Sequence, residues 1–185
     1  MTFTSSNWNT PQTVTVTGVN DMVQDGSAAY SIVLGVAASA DPNFSGADAT
    51  DVAVSNTDDD AAGITVTPTA GLVTSEAGGT ASFTVVLNSE PTSDVTISVA
   101  TDDATEGTAD VASLTFNAGN WNMAQTVTVT GADDMVQDGD IAYSIVLGAA
   151  SSSDANYAGV DAADVSVSNT DDDAAGITVS PTAGL

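Results

Sequence analysis

Along much of this chain apolar and polar residues alternate one by one. In Gln125–Gly131 (QTVTVTG), Val127 and Val129 take one side while Thr126, Thr128 and Thr130 take the other, and DVTISV at 94–99 keeps the same period. A period of two marks a half-buried antiparallel strand, because successive side chains point to opposite faces. The pattern predicts strands near 63–68, 71–74, 81–87, 94–100, 113–117, 125–131, 141–148 and 163–169. Turn residues separate them at Gly78-Gly79, Ser89-Glu90-Pro91, Gly119-Asn120 and Asp138-Gly139. No segment of useful length carries helical spacing. Seven or eight short strands with turns between them predict an all-β fold, an antiparallel, immunoglobulin-like β-sandwich. Trp121 and Tyr143 flank apolar strands and are expected in the core or at strand ends, whereas the stretch 148–163 (GAASSSDANYAGVDAA) receives no assignment.

The pattern also repeats. Trp8 and Trp121 lie 113 residues apart (121 − 8), and residues 1–72 laid over 114–185 without a gap agree at 52 of 72 positions. QTVTVTG, DMVQDG and VSNTDDDAAGITV recur letter for letter. Solenoid repeats run to about 20–50 residues, so a period this long is the size of an independent domain. The chain therefore divides into 61–173 as one complete copy, 1–60 as the later part of a preceding copy, and 174–185 as the first strand of a following one. Half a sandwich leaves an apolar face and sheet edges open, so 1–60 is not expected to be stable alone. Met1 stands where Leu114 stands in the pattern LTF, which suggests an excerpt from a longer array. Neither a signal peptide nor a membrane-spanning run is visible.

Composition narrows the chemistry. The chain has no Lys, Arg, His or Cys, and carries 25 acids, which gives a formal charge of −25. Nucleic acid and anionic membranes need cationic side chains, so neither is an expected partner. Ser-His-Asp, Cys-His, zinc-thiolate and Schiff-base sites all lack their reagents. Paired carboxylates of the glycosidase kind remain, but they need aromatics to hold a sugar, and most of the nine aromatics sit at alternating strand positions that suit a core. No enzymatic activity is expected. With 42% hydrophobic residues, rich in Val, Ile and Thr, the chain is not a disordered acidic tail.

The acids gather in loops: Asp102-Asp103, Asp133-Asp134 with Asp138 and Asp140, and Asp171-Asp172-Asp173. Two like charges about 4 Å apart repel by roughly 1 kcal/mol in water and by several times that near a protein surface. No basic side chain is present to relieve them. Ca²⁺, which takes about 6–8 oxygen ligands in flexible geometry, is the natural counter-charge. Two alternatives are solvated loops that keep a rigid fibre soluble and adaptation to high salt. The clustering favours Ca²⁺, since the strand faces carry uncharged Thr and Ser. Neither an EF-hand loop nor the G-G-x-G-x-D nonapeptide occurs.

The order TSEAGGTASFTVVL, VATDDATEG, LTF, TVTVTGADDMVQDGDIAYSIVL and NTDDDAAG resembles the Calx-β domain over the whole of 61–173. The resemblance implies a seven-stranded sandwich with acids brought together at one end to bind Ca²⁺. The implied ligands are Glu76, Asp103 with its neighbour Asp102, Asp133, Asp134 and Asp138, and Asp171, Asp172 and Asp173. In the preceding copy the counterparts are Asp21, Asp25, Asp58, Asp59 and Asp60, with Asn20 in place of Asp133 and Ser27 in place of Asp140. That copy loses two charges in this loop and is expected to bind the ion less tightly. Only Ala174-Ala175-Gly176 separates the terminal triplet from the next strand, so an ion there would stiffen the junction between copies. The expected role is a Ca²⁺-stabilised structural repeat of an extracellular or cell-surface fibre, matrix protein or adhesin stalk. Its partners would be neighbouring repeats and other copies in a filament. A Ca²⁺-dependent module for surface glycans or proteins, or a spacer of a secreted enzyme, are the alternatives. Asn43-Phe44-Ser45 is a glycosylation-type triplet, but the other copy has Asn156-Tyr157-Ala158.

Overall fold

A computed structural model describes residues 1–184. They form two compact units, Met1–Asp21 with Asp25–Asp59, and Met22–Gln24 with Asp60 onward. Among the described residues there is no helix, and the strands are β1 (Ala28–Ile32), β2 (Val52–Asn56), β3 (Ile64–Thr67), β4 (Leu72–Ser75), β5 (Thr80–Leu87), β6 (Val95–Thr101), β7 (Gly107–Ala109), β8 (Ser113–Phe116), β9 (Gln125–Gly131), β10 (Ile141–Leu147), β11 (Ser151–Ser152) and β12 (Val165–Thr170). The eight strands expected in 61–173 all occur, with ends displaced by at most two residues. Two short ones, β7 and β11, were not expected, because three and two residues are too few to show a period.

In the second unit two sheets face each other. One has the order β3-β5-β9-β7, and the other β11-β6-β10-β12-β4 with β8 also on β6. The expected antiparallel pairing holds except between β4 and β12, which run parallel with Val167 opposite Leu72 and Thr170 opposite Ser75. A parallel pair so far apart in sequence leaves no turn signal to read. The core between the sheets takes the alternate residues of each strand. Phe83, Val85, Val127 and Val129 come from one sheet, and Ile97, Phe116, Tyr143, Ile145, Val165 and Val167 from the other. Burying each such side chain is worth about 1.5–3 kcal/mol. Trp121 packs half-buried at the edge of this core, and its carbonyl accepts the Leu87 N–H at 3.1 Å.

The first unit contains β1 and β2, paired from Ala28 opposite Asn56 to Ile32 opposite Val52. The same register returns in β10 and β12, from Ile141 opposite Asn169 to Ile145 opposite Val165. QTVTVTG behaves differently in its two places. At 125–131 it is β9, flanked by β5 and β7, and Val127 and Val129 are fully buried. At 12–18 it forms no strand, and Val14 and Val16 are 56% and 41% exposed. Among the described residues no strand pairs with 12–18. Identical residues become strand or open chain according to what lies alongside them.

The unassigned stretch 148–163 is a crossing loop. β10 leaves β6 after Leu147 opposite Val99, and β11 resumes with Ser151 opposite Thr96, four residues against three, as in a bulge. Its anchor is the buried Asp154, whose carboxylate accepts the Thr92 N–H at 2.8 Å and the Asn156 N–H at 2.9 Å. Burial opposes the charge, but these N–H donors outweigh it and hold the carboxyl below the ordinary carboxylate range. A depressed pKa stabilises the fold above the unfolded-state value, and the benefit disappears as pH falls through the folded-state value. Asp154→Ala is expected to cost about 2 kcal/mol at pH 7, the worth of hydrogen bonds to a charged acceptor. In denaturant titrations the gap from wild type should narrow as pH falls below the ordinary carboxylate range. A gap independent of pH would refute the charged role.

Candidate metal site

The parallel pairing of β4 with β12 decides where the acids meet. Both strands run out at the same end of the sheet, so Glu76 after β4 and Asp171-Asp172-Asp173 after β12 emerge side by side. The Glu76 N–H donates to the Thr170 carbonyl at 3.1 Å, and the Asp172 N–H donates to Glu76 Oε2 at 3.2 Å. Carboxylate oxygens of Glu76, Asp171 and Asp173 lie within 4.8 Å of one another. Glu76 is buried, and Asp171 and Asp173 are half-buried. Among the described residues no other group of three acids converges in this way.

A loop from the other side closes on the same point. Gly139 adopts φ 82°, a conformation that L side chains rarely take, and its N–H donates to Asp171 Oδ2 at 2.7 Å. The Asp173 N–H donates to Asp171 Oδ1 at 2.8 Å. These backbone donors, Asp173 first and Gly139 next, hold the Asp171 carboxyl below the usual range. Glu76 and Asp173 move the other way. Burial is the larger cause for both, with added repulsion on Glu76 from Asp171, Asp134 and Asp138, and on Asp173 from Asp171, Asp172, Asp133 and Asp134. Asp173 Oδ2 is buried without a hydrogen-bond partner. A buried, unpartnered oxygen on a carboxylate that converges with two others is costly unless a cation sits among them. The donor set is all oxygen, which suits a hard divalent ion such as Ca²⁺.

The remaining expected ligands fall outside the converging three. Asp133, Asp134 and Asp138 contribute field rather than converging oxygens, and Asp134 Oδ1 accepts the Val136 N–H at 2.6 Å. Asp172 is exposed. Asp103 Oδ1 accepts both the N–H and the hydroxyl of Thr105, at 3.0 and 2.5 Å, which lowers its pKa. Asp102 Oδ1 accepts the Ser144 N–H at 2.7 Å, extending the β6–β10 ladder. In the first unit Asp58 Oδ2 accepts the N–H of Gly26, at φ 85°, at 2.6 Å, reproducing the Gly139–Asp171 bond. Asp21, Asp25 and Asp59 are exposed and Asp60 half-buried.

Sequence patterning missed what lies beneath the site. Thr74 Oγ1 bonds the Tyr143 hydroxyl and Asn169 Oδ1, each at 3.0 Å, and Asn169 Nδ2 donates to the Ala132 carbonyl at 2.9 Å and to Glu106 Oε2 at 3.4 Å. Thr74, Glu106, Tyr143 and Asn169 are all buried. This network joins β4, β10 and β12 just below Glu76 and Asp171. Glu106 lies three residues after Asp103, but nothing in the charge pattern separates a buried acid from the more exposed ones beside it.

The Calx-beta domain family model matches residues 57–174, well over half the chain. No curated protein matches. Among solved structures, the apo-form Calx CBD1 domain is similar at 20% identity over 62% of this chain and 100% of that one, with a TM-score of 0.47. The periplasmic chaperone SfaE is similar at 12% identity over 64% of this chain and 61% of that one, with a TM-score of 0.47. Domains 4 and 5 of the S-layer protein SbsC are similar at 19% identity over 80% of this chain and 72% of that one, with a TM-score of 0.38. With all-β sheets over the matched span and its acids gathered at one end, the chain belongs to the Calx-beta domain family.

Proposed function

We propose that this chain is a segment of a tandem array of Ca²⁺-binding β-sandwiches, with a structural, non-enzymatic role in an extracellular or cell-surface fibre, matrix protein or stalk. The observation that carries this reading is the convergence of Glu76, Asp171 and Asp173, with one Asp173 oxygen buried and unpartnered, in a chain without a single basic side chain. Calx-beta domains bind calcium in homologues, which supports the same ion here. Bound Ca²⁺ would supply the missing positive charge. Glu76 would then tie the end of β4 to the end of β12, and Asp173 would fix the start of the short linker at 174–176. The linker could no longer splay under the repulsion of its own acids.

A structural role is favoured over glycan capture by the aromatics. Phe83, Phe116, Tyr143 and Tyr157 are buried and Trp121 is half-buried, so among the described residues the second unit offers no fully exposed ring on which a sugar could stack. No helix among the described residues is long and apolar enough to cross a membrane. Titration calorimetry on the 185-residue chain tests the reading. Saturable Ca²⁺ binding is expected, weakened at least about tenfold by Asp173→Asn, since a charged ligand is lost. Wild-type protein that takes up no Ca²⁺ would sink it.

A further inference from the structure

The DMVQDG loop places an aspartate directly before a glycine in each copy, as Asp25-Gly26 and Asp138-Gly139. An Asp-Gly step is chemically weak, because no side chain on the glycine shields the aspartyl carboxyl from its amide nitrogen. When that nitrogen attacks Cγ, a C–N bond forms, the carboxyl OH leaves as water with the amide proton, and a five-membered succinimide results. Water then adds back to either carbonyl. One opening restores aspartate. The other gives isoaspartate, in which the main chain runs through the side-chain carbonyl. Nothing is oxidised or reduced, and water is the only co-reactant.

The fold requires the glycine. Gly26 and Gly139 stand at φ 85° and 82°, where an L side chain is strained. Both steps are exposed, so water reaches them. What the fold does instead is occupy the nucleophile. The Gly139 N–H donates to Asp171 Oδ2 at 2.7 Å, and the Gly26 N–H donates to Asp58 Oδ2 at 2.6 Å. A short bond to a charged acceptor is among the stronger kinds. It ties the nitrogen to the residues just after β12 or β2, and the nitrogen must leave that carboxylate before it can turn on its own aspartate. Each unit holds the same arrangement by itself. The Asn88-Ser89 step, open to the same chemistry, is also occupied: Ser89 is buried and its N–H donates to the Tyr157 hydroxyl at 3.0 Å.

We propose that Asp138-Gly139 is a site of isoaspartate formation that the Asp171 carboxylate keeps closed, and that Asp58 guards Asp25-Gly26 in the same way. Isoaspartate adds one carbon to the main chain ahead of Gly139. That moves the Gly139 N–H off Asp171, so the conversion removes its own guard. The guard is a hydrogen bond between protein groups and needs no ion. It is therefore measured in EDTA, and it stands or falls apart from Ca²⁺ binding.

The 185-residue chain is kept warm at neutral pH, and isoaspartate at residues 25 and 138 is followed by mass spectrometry with electron-transfer fragmentation. Wild-type protein should convert at 138 at least about tenfold more slowly than a free peptide of the same loop, the scale of one hydrogen bond to a charged acceptor. Asp171→Ala should speed conversion at 138 by a similar factor and leave 25 unchanged, and Asp58→Ala should do the reverse. Asp172→Ala removes an exposed neighbouring charge but no bond to Gly139, and should match wild type. Unchanged amide exchange at Phe83 and Val127 in the core strands separates loss of the guard from unfolding. Equal rates in wild type and Asp171→Ala would overturn the proposal. So would conversion at 138 in wild-type protein as fast as in the peptide, a comparison that needs no variant.

Discussion

Saturating Ca²⁺ should raise the thermal unfolding midpoint of the second unit by roughly 10 °C. A ligand that binds only the folded state adds about 2.7 kcal/mol at a hundredfold excess over Kd, and each kcal/mol moves a domain of this size by several degrees. Mg²⁺ should do much less, because it keeps its waters and demands octahedral geometry. The site variants carry the sharper test. Glu76 and Asp173 have pKa values raised by burial and by their neighbours. A raised pKa means that the fold prefers the neutral form, so this stabilisation is complete below the unfolded-state pKa and is lost as pH rises through the folded-state value. Without metal at neutral pH, Asp173→Asn should therefore unfold at a higher temperature than wild type, while losing the Ca²⁺ increment. A variant destabilised in EDTA, or one that keeps the full Ca²⁺ response, would show that Asp173 serves the fold and not an ion.

Phe116→Ala should cost about 3–5 kcal/mol, whereas Phe3→Ala should stay within about 0.5 kcal/mol. The two phenylalanines are one period apart in the same LTF or MTF context, yet Phe116 is fully buried and Phe3 is 54% exposed. Truncating Phe116 leaves a hole between the sheets, and the side chains around it relax only partly. Phe3 has no opposite sheet to lose. Chemical denaturation followed through Trp121 reads the first variant, and Trp8, 70% exposed, provides a separate signal for the second. Equal costs at the two positions would mean that 1–60 buries its apolar face after all.

Most of the strands were legible because a period of two needs only a local pattern. In 94–100 and 125–131 the buried residues are the ones the alternation marks, and Trp121 and Tyr143 lie at the core edge and in the core as expected. β7 and β11 were too short to carry a period. The acidic loops were equally plain as composition, but composition did not rank them. Asp102 and Asp103 look like the terminal triplet in sequence, yet local N–H and hydroxyl groups occupy their oxygens. Glu106, three residues after Asp103, lies buried against Asn169.

The sequence by itself determined the all-β class, the 113-residue period, the absence of any basic or thiol chemistry, and the crowding of negative charge into loops. These follow from residue identity and from spacing over a few positions. The tertiary structure decided which acids face one another. Glu76 and Asp171 meet because β4 and β12 run parallel and end together, and Asp173 joins them through its N–H, which donates to the Asp171 carboxylate that Gly139 holds from a third loop. It also decided that QTVTVTG is a buried strand at 125–131 and open chain at 12–18. Both outcomes depend on partners dozens of residues away, and a strand's hydrogen bonds and burial are supplied by those partners, not by its own side chains.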